Sequence, residues 1–183
     1  FYGNNLQIPL GYASGYLDTK TDMDIDTIFS NKIYDFSFIG ELKMDRKIMI
    51  DTFKKNFDKK YISIGKTDWN NLNNVNIKTS DVYNIYQETY FIPIGRGNFS
   101  YDCFRFYEAI MSNAIPVIVG EINIIKKTYY FDGIQPMYIV AETWEEACKL
   151  CKNVVENIDY MKSIVEFNNK WWNSINDRII QRI

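Results

Sequence analysis

The chain has 183 residues, a formal net charge of −2, and a composition that is 46% hydrophobic and 16% aromatic. That is enough apolar surface for one well-buried domain and too much for a disordered chain. Its 21 basic and 23 acidic residues leave no electrostatic footprint for nucleic acid or an anionic membrane, and no apolar run reaches spanning length. With no histidine, imidazole acid–base chemistry and His-ligated metal are excluded within the chain.

Residues 1–30 read as an extended interdomain segment. Within it, Asp22-Met23-Asp24 and Asp24-Ile25-Asp26 fit Asp-x-Asp. No buried strand precedes them to converge their oxygens on a metal, so the stretch reads as a solvated loop. A strand is expected over Ile33–Ile39, ended by Gly40, then a loop Glu41–Asp45. The next helix, from about Asp45 to Phe57, buries Ile48, Met49, Thr52, Phe53 and Phe57. Tyr61–Ile64 is a short strand, Trp69–Asn76 an Asn-rich loop, and Thr79-Ser80-Asp81 the cap of a helix over Val82–Gln87.

Glu88–Glu121 organises the chain. Tyr90–Ile94 and Ile115–Val119 read as strands buried on both faces. Between them, Gly95-Arg96-Gly97 breaks the first strand and Ser100 or Asp102 caps a helix beginning near Tyr101, which Pro116 ends. Such a loop lies at the carboxyl end of a parallel strand, where open α/β sheets bind ligands. Gly95 and Gly97 allow close approach of backbone, the helix N-terminus favours an anion, and Arg96 adds a fork suited to a diphosphate. Arg105 and Glu108 share a helix face, where a carboxylate can accept from ribose hydroxyls or simply pair with the arginine.

Beyond Val119, Gly120 opens a loop containing Tyr129-Tyr130-Phe131-Asp132-Gly133, whose aromatics either stack on a ligand or pack. Met137–Val140 is a last strand, and Thr143 caps a helix over Thr143–Asn157. Cys148-x-x-Cys151 falls inside that helix and reads as two small packed residues, not a redox pair. Tyr160–Ile183 is a long helix in which Trp171-Trp172 serves packing. The expected fold is α/β, Rossmann-like: a parallel sheet of about five or six strands with helices on both faces over residues 31–160, plus a C-terminal helix over 161–183.

The run Phe104-Arg105-Phe106-Tyr107-Glu108-Ala109-Ile110, followed by Ile115-Pro116-Val117-Ile118, resembles the donor-binding signature of exostosin-type glycosyltransferases, inverting enzymes of the GT-B class. Gly95-Arg96-Gly97 stands where that family has Pro-Arg-Gly, and Phe38-Ile39-Gly40 with Arg46 resembles its first donor-domain strand and following arginine. The resemblance implies the C-terminal, nucleotide-sugar-binding half of such an enzyme. Glu108 would bind the ribose. Arg96 and Arg105, with Gly95, Gly97 and amides from Asn98 to Asp102, would hold the diphosphate, assisted by Arg46. It implies no metal or other cofactor, a UDP-sugar as the expected donor, and a glycan or other hydroxyl acceptor. The N-terminal acceptor domain of a longer parent chain would supply the catalytic base. Two alternatives remain open at this point: a degenerate nucleotide- or glycan-binding module, and another Rossmann-like nucleotide-dependent enzyme.

Overall fold

The computed structural model describes residues 8–65, 77–96, 100–131 and 133–182. The expected Trp69–Asn76 loop lies outside them, as does Asp132. Five strands form one parallel sheet: β1 (Tyr34–Gly40), β2 (Lys60–Ile64), β3 (Thr89–Ile94), β4 (Ile115–Val119) and β5 (Ile139–Ala141), in the order β2-β1-β3-β4-β5. Seven helices are described: α1 (Ile25–Ser30), α2 (Arg46–Asn56), α3 (Thr79–Gln87), α4 (Phe104–Met111), α5 (Ile122–Thr128), α6 (Trp144–Val155) and α7 (Ile158–Arg182). The fold is α/β and Rossmann-like.

Strand alternation sends side chains to opposite faces, and two cores result. Phe36, Phe38, Phe91, Val117 and Ile139 point to the face covered by α1, α2, α6 and the first half of α7. Ile92, Ile94 and Ile118 point to the face covered by α3, α4, α5 and the second half of α7. α7 therefore serves both cores, with Met161 and Ile164 in one and Trp171, Trp172 and Ile175 in the other. Where it changes face, the buried Asn168 side chain accepts from the Met137 N–H and donates to the Met137 carbonyl, both at 2.8 Å. It replaces a strand partner just ahead of the edge strand β5.

Several local expectations need correction. Asp18–Ser30 is not all loop: α1 begins at Ile25, and the Asp24 carboxylate caps it by accepting from the Thr27 N–H at 2.9 Å and the Thr27 hydroxyl at 2.6 Å. α5 stands where a loop was expected after Gly120. In α2 the buried face takes Met49, Ile50, Thr52 and Phe53, while Ile48 is 63% exposed, because the helix is seated between the sheet and α6. α4 is ended by Asn113, whose φ of 57° is left-handed; Pro116 lies within β4. Tyr129 and Phe131 are buried and only Tyr130 of that trio is exposed, so the aromatics pack. Cys148 and Cys151 are buried free thiols in α6, and burial pushes the Cys148 thiol up to about 11. Thr143 caps α6 as expected, accepting from the Glu146 N–H. Among the described residues, no helix is long and apolar enough to cross a membrane.

Candidate functional site

β1 pairs with β2 as far as Gly40 but with β3 only at Tyr34 and Phe36. The chain leaves β1 for α2 on one face and leaves β3 for α4 on the other. Divergence in both senses opens a crevice at the carboxyl ends of β1 and β3, the topological switch point at which such sheets bind ligands. Arg46 is the first residue of α2, Arg105 lies in the first turn of α4, and Arg96 is two residues past β3. Three arginines expected at one site are thus brought to one crevice. Gly97 and Asn98 lie outside the described residues.

Arg105 lies across the end of β1. Its Nη2 donates to the Ile39 carbonyl at 2.8 Å, its guanidinium carbon is 5.0 Å from the centre of the Phe38 ring, and it hydrogen-bonds the Tyr86 hydroxyl of α3. Burial opposes its charge, but Tyr86, Cys103 and Glu108 outweigh burial and hold it above the usual guanidinium value. Arg46 donates from Nη1 to the Glu41 carbonyl at 2.9 Å and from Nη2 to the Arg96 carbonyl at 3.4 Å. Burial first, and then the neighbouring Arg105, push Arg46 below its usual value. The Nε atoms of Arg46 and Arg105 are both buried without a partner. Arg96 is exposed, with its guanidinium carbon 5.6 Å from the Tyr101 ring centre. The carboxylates whose field reaches these arginines are Asp45 and Glu41 for Arg46 and Glu108 for Arg105, and Glu41 also pairs with Lys43 at 2.8 Å.

The start of α4 adds to this positive field. Its cap position is Cys103, which makes no side-chain capping bond. The expected cap by Ser100 or Asp102 does not form: Asp102 accepts instead from the Tyr107 hydroxyl at 2.9 Å, and Ser100 donates to the Asp102 carbonyl. Burial pushes the Asp102 carboxyl up, against the hydrogen bond from Tyr107. A dipole end without its own carboxylate cap favours an external anion.

Glu108, one turn into α4, accepts from the Ala13 N–H at 3.4 Å, and the Tyr16 hydroxyl donates to the Glu108 carbonyl at 2.9 Å. Burial pushes its carboxyl up, opposed by Arg105 and the Ala13 N–H. The N-terminal segment is therefore part of the site's wall. Gly95 plays a different part from the one its sequence context suggests. A Cβ there would stand 2.5 Å from Arg46 Cγ and 3.1 Å from Asp45 Oδ1, so its openness admits the Arg46 stem.

Three contributors carry no signal in the sequence. Tyr86 reaches Arg105 from α3, and Tyr101 both underlies Arg96 and accepts from the Glu121 N–H at 3.2 Å, joining the loops after β3 and β4. Asp45 accepts from the Arg96 N–H at 3.1 Å. Each depends on a neighbour distant in the chain. No group of three or more His, Cys, Asp or Glu side chains among the described residues converges on a metal-sized site. A scan against protein-family models matches none of them, and a search of curated proteins returns no significant match.

Proposed function

We propose that this chain is the donor-binding domain of a glycosyltransferase, which holds a nucleoside diphosphate sugar while the sugar passes to a hydroxyl acceptor. The observation that carries the reading is the crevice between β1 and β3, where Arg46, Arg96 and Arg105 gather and the Nε atoms of Arg46 and Arg105 are buried without a partner among the described residues. Burying a guanidinium N–H without a hydrogen-bond partner costs free energy, and an anion seated against the arginines recovers part of it. The motif resemblance supplies the anion's class. A diphosphate is the leaving group in sugar transfer, and fixed guanidinium and amide donors stabilise it as its charge grows. No metal is needed in this reading, because the arginines and the α4 dipole supply the field. Glu108, its carboxyl within the same turn region as Arg105, is the ribose acceptor.

The described carboxylates of the crevice are committed: Asp45 to the Arg96 N–H, Asp102 to the Tyr107 hydroxyl, Glu108 to the Ala13 N–H. An inverting transfer needs a free base beside the acceptor hydroxyl, and in this reading an acceptor-binding domain provides it. The chain by itself then binds nucleotide and transfers little sugar. The test is a calorimetric titration with UDP and GDP, without added metal, beside Arg96→Ala and the double variant Arg105→Ala, Glu108→Ala. Saturable binding that the variants weaken supports the reading. Binding that survives intact in all variants, or absence of binding to both nucleotides, refutes it. Arg96 is exposed, so its variant separates lost binding from lost folding.

A further inference from the structure

We propose that Asp45 is a positioning residue of the anion site, acting through Arg96; the inference rests on the reading of the crevice as a diphosphate site. Asp45 occupies the cap position of α2, where an aspartate ordinarily accepts from its own helix's first N–H groups. It makes no such bond. Its Oδ1 instead accepts from the Arg96 N–H at 3.1 Å, across 51 positions of chain. The next side chain, Arg46, donates from Nη2 to the carbonyl of the same Arg96 at 3.4 Å. Consecutive side chains thus hold both polar backbone groups of one residue.

Two further features belong to this clamp. Gly95 gives the space for it, since a Cβ there would meet Arg46 Cγ at 2.5 Å and Asp45 Oδ1 at 3.1 Å. Met44, immediately before Asp45, has a φ of 53° with its side chain 65% exposed, so a left-handed residue is held there without side-chain packing to compensate. Strain of that kind persists where the surroundings over-determine a geometry, and here the turn delivers Asp45 across the crevice. The part held matters because Arg96 ends in an exposed guanidinium whose described contact is the Tyr101 ring. Fixing its peptide fixes where the flexible stem starts and lowers the entropy lost when the guanidinium meets an anion.

The sign of the effect separates this role from its rival. A carboxylate beside an anion site that merely competes for the positive field weakens binding, so both Asp45→Ala and Asp45→Asn would tighten it. A positioning role predicts the reverse for alanine and near-neutrality for asparagine, which keeps the accepting oxygen. The experiment uses the full chain and two probes, UDP and inorganic pyrophosphate, with hydrogen exchange of the Arg96 amide read in parallel. Asp45→Ala is expected to weaken both probes about five-fold, as loss of one hydrogen bond does, and to speed Arg96 amide exchange at least roughly ten-fold. Asp45→Asn should stay within about two-fold of the wild type in both readouts. In an Arg96→Ala background, Asp45→Ala should cost no further affinity. Tighter binding in both Asp45 variants, unchanged amide exchange in Asp45→Ala, or additive losses in the double variant would each overturn the proposal. Wild-type binding that Asp45→Ala leaves intact sinks the positioning role alone. A wild type that binds neither probe sinks the donor-site reading and this role with it.

Discussion

Gly40 and Arg105 share one small space: a Cβ on Gly40 would stand 2.7 Å from Arg105 Nη2, and the φ of Gly40, +146°, is one that L residues rarely adopt. The end of β1 and the start of α4 are therefore fitted to each other through a missing side chain. Gly40→Ala is expected to destabilise the fold by roughly 2–3 kcal/mol and to displace the arginine. Gly11 gives the reference cost of an uncrowded left-handed position. Its φ is +75° and nothing lies within 4 Å of its Cβ position, so Gly11→Ala should cost only about 1–2 kcal/mol of backbone strain. Urea unfolding of both variants checks the difference, and equal losses would show that the Arg105 contact contributes nothing.

That fit marks the boundary of what could be read from the chain alone. The β3–α4–β4 unit was legible because its strands are continuous apolar runs and α4 repeats apolar residues at helical spacing. Arg96 and Arg105 could be expected in one crevice because strand polarity and connection direction fix where loops fall, whereas only the family resemblance places Arg46 beside them. The clamp on Arg96 was not legible, since Asp45 is an ordinary cap residue until residue 96 is folded beside it. Asp102 had the right chemistry for a cap of α4, and Tyr107, whose hydroxyl turns back to it, took the carboxylate away. α1 is obscured in the sequence by its aspartates, and its signal is Asp24 followed by Thr27 and the apolar pair Ile28-Phe29. α5 buries only Ile125 and so lacks an apolar stripe.

Lys32 should impose a pH dependence on stability. It is 8% exposed, lies against the rings of Phe29 and Tyr90, and donates to the carbonyls of Gln87 at 3.1 Å and Thr89 at 2.7 Å. Burial lowers its pKa from 10.5 to about 7. Because the folded value is depressed, the unfolded chain binds the extra proton between these values. The contribution is fully present above 10.5 and is lost as pH falls through about 7. Stability should therefore rise between about pH 7 and pH 9.5, by up to about 1.4 kcal/mol per pH unit from this group. Lys32→Met should remove that rise, while its orphaned carbonyls lower stability at every pH. Urea midpoints for both proteins at the two pH values decide it; parallel slopes would exclude Lys32 as the source.

Asn168→Ala tests how the sheet edge is closed. The carboxamide satisfies both backbone groups of Met137 from a position 1% exposed. Removing it leaves both groups without this partner, with an expected loss of roughly 2–4 kcal/mol. It also uncovers strand-like backbone beside β5, a site for edge-to-edge association. Thermal unfolding and light scattering at several concentrations measure the two effects. A variant as stable and as monodisperse as the wild type would show that the pairing has no energetic role.

Glu108 should couple acidity to stability and to nucleotide binding with opposite signs. Burial holds its carboxyl above the ordinary value of 4.5, against Arg105 and the Ala13 N–H. A raised carboxyl contributes stability that is fully present below 4.5 and lost as pH rises through the folded value. Ribose hydroxyls, in contrast, need the carboxylate as acceptor, so in the proposed site acidification weakens nucleotide affinity while it favours the fold. Glu108→Gln has no proton to exchange and should flatten both trends. UDP has a phosphate titration of its own, near pH 6, so the informative quantity is the difference between wild type and Glu108→Gln at each pH. Calorimetry from about pH 5 to pH 8, with urea midpoints alongside, supplies it. A wild-type affinity profile that the glutamine variant reproduces would remove Glu108 from the ribose-binding role and leave its contact with Ala13 as its place in the fold.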